Sequence, residues 1–160
     1  MASRLFKPSI SPVIRAAEEI VRARLQGRDT LDPDSFLAAC ALPPDRFPSA
    51  KRFMARLGKD LAINPYRMRP DDSMSSLFRV SREEIPRGMS SAWDAHGLGT
   101  HVQPLSDDLM WAFSKATDAK RSYHVWKSLD NPPQSDEEWA NLFMSMTVGE
   151  FVRFTTDAMN

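Results

Sequence analysis

The sequence predicts an all-α fold, a compact bundle of about six to seven helices in a single domain. Three observations support this. Apolar residues recur at helical spacing in successive segments. Those segments are separated by prolines, and several open on a side chain suited to cap a helix N-terminus. No stretch alternates apolar and polar residues for the length of a strand, and the one β-leaning piece, Gly99-Thr100-His101-Val102-Gln103, is short. At 160 residues and 42% hydrophobic, the chain can build one domain whose core needs neither disulfide nor metal.

Ser11-Pro12 reads as a cap followed by proline in the first turn. Val13, Ala17, Ile20, Val21 and Leu25 then form an apolar stripe, and Gly27 stops a helix spanning about 12–26. Its other face carries Arg15, Glu18, Glu19, Arg22 and Arg24. Asp32-Pro33 repeats the signal for a second helix, about 33–41, that buries Phe36, Leu37 and Cys40 before Pro43-Pro44 ends it. Ser49 is the expected cap of a third helix, with Phe53, Met54, Leu57 and Leu61 inward and Gly58 a weak point.

Asn64-Pro65 begins a loop that runs through Pro70 to the turn residues Asp71-Asp72-Ser73. Met74, Leu77 and Phe78 suit a short helix or a plug for the core. Ser81 with Glu84 matches a capping box that Pro86 cuts short, and a short helix follows at about 89–96 with Trp93 inward. Ser106-Asp107-Asp108 opens the longest helix, about 106–129, where the acids suit the positive end of the helix dipole. Ser135 with Glu138, and Thr147 with Glu150, are capping boxes for two final helices carrying Trp139, Leu142, Phe143 and Met146, then Val148, Phe151 and Val152. The chain divides into an N-terminal helical extension, 1–48, and a helical core, 49–160.

The charges cancel, with 21 basic and 21 acidic residues, which excludes the whole-chain basicity of a dedicated nucleic-acid binder. The balance is uneven: residues 1–80 carry a net +5 and residues 81–160 a net −5. Arg52, Arg56, Lys59, Arg67 and Arg69 form a basic neighbourhood. The single cysteine, Cys40, allows no intramolecular disulfide and reads as a small buried hydrophobe. The first twelve residues lack the apolar run of a signal peptide, and no apolar stretch is long enough to span a membrane, so a cytoplasmic protein is expected. Arginine outnumbers lysine, as in GC-rich bacteria.

No metal site is expected: His96 and His101 lie five apart across two glycines, and His124 is distant. Paired carboxylates at Glu83-Glu84, Asp107-Asp108 and Asp136-Glu137-Glu138 all fall at expected helix starts, where the dipole accounts for them. No acid, base and nucleophile set can be assembled from spacing, so the expectation is a protein that is not an enzyme.

Three segments carry a family resemblance. The stretch 53–74, Phe53-Met54-Ala55-Arg56-Leu57-Gly58-Lys59-Asp60-Leu61-Ala62-Ile63-Asn64-Pro65-Tyr66-Arg67-Met68-Arg69-Pro70-Asp71-Asp72-Ser73-Met74, resembles the first helix and loop entry of acyl carrier proteins. Ala92-Trp93-Asp94-Ala95-His96-Gly97-Leu98-Gly99-Thr100-His101-Val102 stands where that family's second helix ends, and Met146-Thr147-Val148-Gly149-Glu150-Phe151-Val152-Arg153-Phe154 resembles its last helix. The pieces occur in family order over about a third of the chain, with 103–140 as an insertion. The resemblance implies a phosphopantetheine arm on a serine, and the serine at about the right distance is Ser81. It stands in Val80-Ser81-Arg82, without the family's flanking aspartate and leucine.

The expected function is therefore protein–protein binding by a degenerate carrier-like module without a cofactor. Its partner would be a protein with an acidic surface, met through Arg52, Arg56, Arg67, Arg69 and Trp93. The alternatives are a genuine phosphopantetheine carrier using Ser81, and a small nucleic-acid-associated regulator using the basic first half.

Overall fold

A computed structural model of the protein describes residues 12–89, 101–102, 105–117 and 133–159. Among them are seven α-helices: α1 (Pro12–Leu25), α2 (Pro33–Ala39), α3 (Phe47–Leu61), α4 (Met74–Phe78), α5 (Ser106–Thr117), α6 (Asp136–Met144) and α7 (Val148–Met159). The β-leaning segment supplies half of a small antiparallel ladder, in which β1 (Val80–Ser81) pairs with β2 (His101–Val102). The expected helix at 89–96 and the second half of the one at 106–129 fall outside the described residues, apart from half-buried Met89.

The core is organised around α3, which packs on α5 and α7 and also meets α2. Its residues Ala50, Phe53, Met54, Leu57 and Leu61 are buried, one helical face turned wholly inward. Aromatic rings join the helices. Phe53 meets Phe151 of α7 edge-on at 5.6 Å, Phe151 lies 4.9 Å from Phe143 of α6, and Phe143 lies 5.2 Å from Phe113 of α5. Phe154 stacks on Phe113 at 5.7 Å. Such offset and edge-on pairs add to the area that the rings bury. Val13, Ala17, Val21 and Leu25 of α1, and Phe36 and Leu37 of α2, belong to the same buried cluster. Met74, Leu77 and Phe78 of α4 are buried too, so the short segment both folds into a helix and plugs the core.

Glu18, expected on the outer face of α1, is buried. It shares a helical stripe with Ile14, Val21 and Leu25, so the inward face of α1 is wider than its apolar residues alone mark out.

Several helix ends follow their sequence signals. The Asp32 carboxylate accepts a bond from Ser35 N–H at 3.1 Å. Thr147 N–H donates to Glu150 Oε1 at 2.9 Å, and Glu150 N–H donates to Thr147 Oγ1 at 3.1 Å, which completes a capping box. Hydrogen bonds from the Thr147 backbone N–H and side chain hold the Glu150 carboxyl below its ordinary value. Glu138 N–H donates to Ser135 Oγ at 3.2 Å.

Others differ. Ser49 does not cap α3: the 3-10 turn Pro44–Arg46 runs directly into the helix, which starts at Phe47 with Pro48 in its first turn. The second helix stops at Ala39 rather than at 41. Ala41 turns left-handed with φ +65°, and Leu42 N–H closes on Leu37 C=O at 3.3 Å. α3 ends the same way: Ala62 has φ +54°, and Ile63 N–H bonds Gly58 C=O at 3.0 Å. Alanine thus occupies two positions that glycine fills at least cost.

Gly58 is not a weak point. A Cβ there would lie 2.9 Å from Pro65 Cδ and 3.0 Å from the Ile63 carbonyl, so the absent side chain lets the loop fold back on the helix.

Two substitutions test these ends. Ala62→Gly is expected to stabilise the fold by about 0.5–1 kcal/mol by relieving the left-handed strain. Gly58→Ala should destabilise it by about 1–2 kcal/mol despite the better helix propensity of alanine, because the methyl group overpacks the Pro65 turn. Urea unfolding of both variants reads the two signs.

Candidate functional site

The basic residues of the first half divide into those that hold the fold and those that face outward. Arg24, late in α1, donates from Nη1 to the carbonyls of Leu77 and Arg79, both at 2.8 Å, and from Nη2 to the Glu84 carboxylate. Arg28 donates from Nη1 to Asp72 Oδ2 at 2.6 Å and from Nη2 to Oδ1 at 3.4 Å. Asp72 Oδ2 also accepts Arg69 N–H at 2.7 Å. The Asp72 carbonyl accepts Val148 N–H at 2.8 Å, and the Pro70 carbonyl accepts Gly149 N–H at 2.9 Å. A Cβ at Gly149 would come within 3.1 Å of that same carbonyl, so glycine permits the approach.

Arg69, expected to meet a partner, is occupied in the fold. Its guanidinium donates to the carbonyls of Arg67, Met68 and Asp29 at 3.0–3.2 Å. Arg52 is exposed on α3, and among the described residues its guanidinium bonds Ser49 Oγ at 3.2 Å. Half-buried Arg56 and exposed Lys59 follow at helical spacing on the same side. Arg67 is half-buried on the loop beyond α3. The four arginines therefore do not form one patch: Arg52 and Arg56 share a helix face, Arg67 lines a separate groove, and Arg69 braces a loop.

Trp93 lies outside the described residues. Trp139 is buried, and Trp111 is half-buried with Lys115 Nζ 4.6 Å above its ring. Ser81 is half-buried, paired with His101, and donates to Glu84 Oε1 at 3.4 Å. It opens only the 3-10 turn Arg82–Glu84, because Pro86 leaves no room for more.

Two concavities flank this scaffold. A groove of about 460 Å³ lies between the second half of α1 and the exit of α3, lined by Glu19, Arg22 and Gln26 and by Ile63, Asn64 and Arg67. A smaller one, about 360 Å³, is lined by Cys40, Pro70, Asp71, Thr147, Gly149 and Arg153. Burial pushes the Cys40 thiol up to about 11, and the nearby Arg153 charge opposes the shift in part. No group of three or more His, Cys, Asp or Glu side chains suited to a metal occurs among the described residues. The chemistry on offer is cationic and amide: groups that bind carboxylates and phosphates.

Residue spacing did not single out Arg22 and Arg28. Arg22 reads as an outer-face position of the first helix, and only the folded chain brings it and Arg28 to residues about forty positions away. Compared with known proteins, the chain matches no family model, no curated protein and no solved structure.

Asp72→Asn is expected to cost about 1–3 kcal/mol, since it removes the charge from a partly buried, fully engaged acceptor. The double variant with Arg28→Gln should lose less than the sum of the two single variants. Denaturant unfolding of the four proteins measures both effects. Cys40 should alkylate slowly: at pH 8 its thiolate fraction is about a hundredfold below that of the unfolded chain. Because the folded state keeps the proton, stability should fall as pH rises from 9.0 toward about 11, the range in which only the unfolded thiol ionises. Iodoacetamide labelling in native buffer and in urea separates folded from unfolded reactivity.

Proposed function

We propose that the protein is a non-enzymatic helical module that binds another protein through an acidic surface on that partner. The observation that carries this reading is the outward face of α3. Arg52, Arg56 and Lys59 stand there at four- and three-residue spacing, and the one acid of the helix, Asp60, is buried. Like charges at such spacing cost a helix about 0.2–0.5 kcal/mol per pair. A partner that supplies carboxylates removes that cost and is steered to the face by it. Cys40, kept as a buried thiol, suits the reducing cytoplasm.

The carrier-like reading refines this one. It is supported by the adjacency of the segments that carry the resemblance: α3 packs on α7, and Met74 N–H bonds the Met146 carbonyl at 2.9 Å. Ser81 begins no α-helix and its hydroxyl is engaged with Glu84, which favours a module without a working attachment site. Intact mass after coexpression with a phosphopantetheinyl transferase is expected to stay unchanged. A gain of one phosphopantetheine arm on Ser81 would instead make the protein a genuine carrier.

For the α3 face, titration with poly-L-glutamate is expected to show binding that weakens about tenfold or more when Arg52, Arg56 and Lys59 are all changed to Glu. Unchanged affinity in that variant would remove the face from the interface. Duplex DNA is the comparison ligand. Tighter binding to DNA than to poly-L-glutamate, with a steep loss as salt rises, would point to nucleic acid instead.

A further inference from the structure

The groove between α1 and the exit of α3 has features that the fold alone does not use. Arg67 is half-buried on its wall, and among the described residues its guanidinium takes part in no ion pair. Across the groove, Arg22 makes one long bond, from Nη1 to the Ala62 carbonyl at 3.3 Å. Glu19 is the one acid lining the groove, so its ionised side chains sum to a single positive charge. Exposed Ala23 and half-buried Ile63 add apolar surface to the groove.

We infer that this groove, with Arg22 and Arg67 on its walls, binds a carboxylate side chain beside an aliphatic residue in an acidic peptide segment of the partner. One net positive charge matches one carboxylate better than a dianionic phosphate, which Glu19 would repel. The apolar lining gives an aliphatic neighbour a place that a free inorganic anion would leave empty. The inference rests on the protein-binding function proposed above, and it names a second contact region apart from the α3 face.

The probe is an N-acetylated, C-amidated hexapeptide of alternating Glu and Leu, with the Gln-for-Glu peptide and inorganic phosphate as comparisons. Binding is read by amide chemical shifts and calorimetry. The Glu peptide is expected to shift amides in 19–26 and 62–67, and the Gln peptide to leave them in place. Arg67→Gln should weaken binding about tenfold or more. Ala23→Glu sets a competing carboxylate on an exposed helix position while leaving both arginines in place, and it should do the same. Thermal melting confirms that each variant is folded. The triple reversal on α3 should leave hexapeptide affinity within about threefold, because that face lies apart from the groove.

Three results overturn the groove assignment: no binding of the Glu peptide, wild-type affinity in both groove variants, or phosphate bound more tightly than the peptide. If the groove variants bind normally while the α3 reversal abolishes binding, the protein-binding reading survives and the groove falls. If the groove variants lose binding to the peptide while the α3 reversal changes neither peptide nor poly-L-glutamate affinity, the groove stands and the α3 face falls.

Discussion

The fold closes on one residue. Asp72 sits in a loop between two helices, and three separate parts of the chain meet there. Its carboxylate takes Arg28 from the end of the first helix region and the N–H of Arg69 from its own loop. Its carbonyl takes the N–H of Val148, the first residue of the last helix. The Arg28 guanidinium and the Arg69 N–H both bond this carboxylate, whose side chain is 17% exposed. The neighbouring bonds repeat this geometry: Pro70 C=O to Gly149 N–H, Met146 C=O to Met74 N–H, and the bridge between Ser73 and Thr147. The packing of α3 against α7 brings the helices together, and this cluster sets where along its axis α7 begins.

The positive charge of the first half therefore falls into two groups. Arg24, Arg28 and Arg69 fix loops by donating to backbone carbonyls and carboxylates, work for which a planar guanidinium with five donors is better suited than lysine. Among the described residues, Arg52, Arg56 and Lys59 take no such part and leave α3 with a basic outer face. An excess of arginine over lysine has a structural reason in the first group, without reference to any ligand.

Much of the architecture could be read from residue order. The helical stripes on 12–25 and 47–61, the caps at Asp32, Ser135 and Thr147, and the buried plug at Met74 to Phe78 all depend on neighbours within a few positions. What escaped sequence reading depends on distant contacts or on backbone strain. The left-handed turns at Ala41 and Ala62 lack the glycine that usually marks them. Gly58 looked like a defect until Pro65 was seen lying against it. Glu18 looked solvated because charge, unlike an apolar stripe, does not reveal which face a helix turns inward. The candidate site was legible only in part. Arg52 and Arg56 could be grouped by helical spacing, whereas the separation of Arg67 from Arg69 depends on which carbonyls fold back within reach of each guanidinium.

The bond between Asp72 and Val148 also bears on how the protein is made. A ribosome delivers the chain from the N-terminus at about 5–20 residues per second. The first helices and their arginine contacts can gather once the loop at residues 67–84 has emerged. The Asp72 carbonyl must wait a further 76 residues of synthesis for its donor, and the aromatic rings of α6 and α7 arrive with it. Throughout that interval the inward face of α3 lacks α7, and until residue 117 has been made it lacks α5 as well. The nascent chain thus carries an exposed apolar surface until Val148 to Met159 have been made.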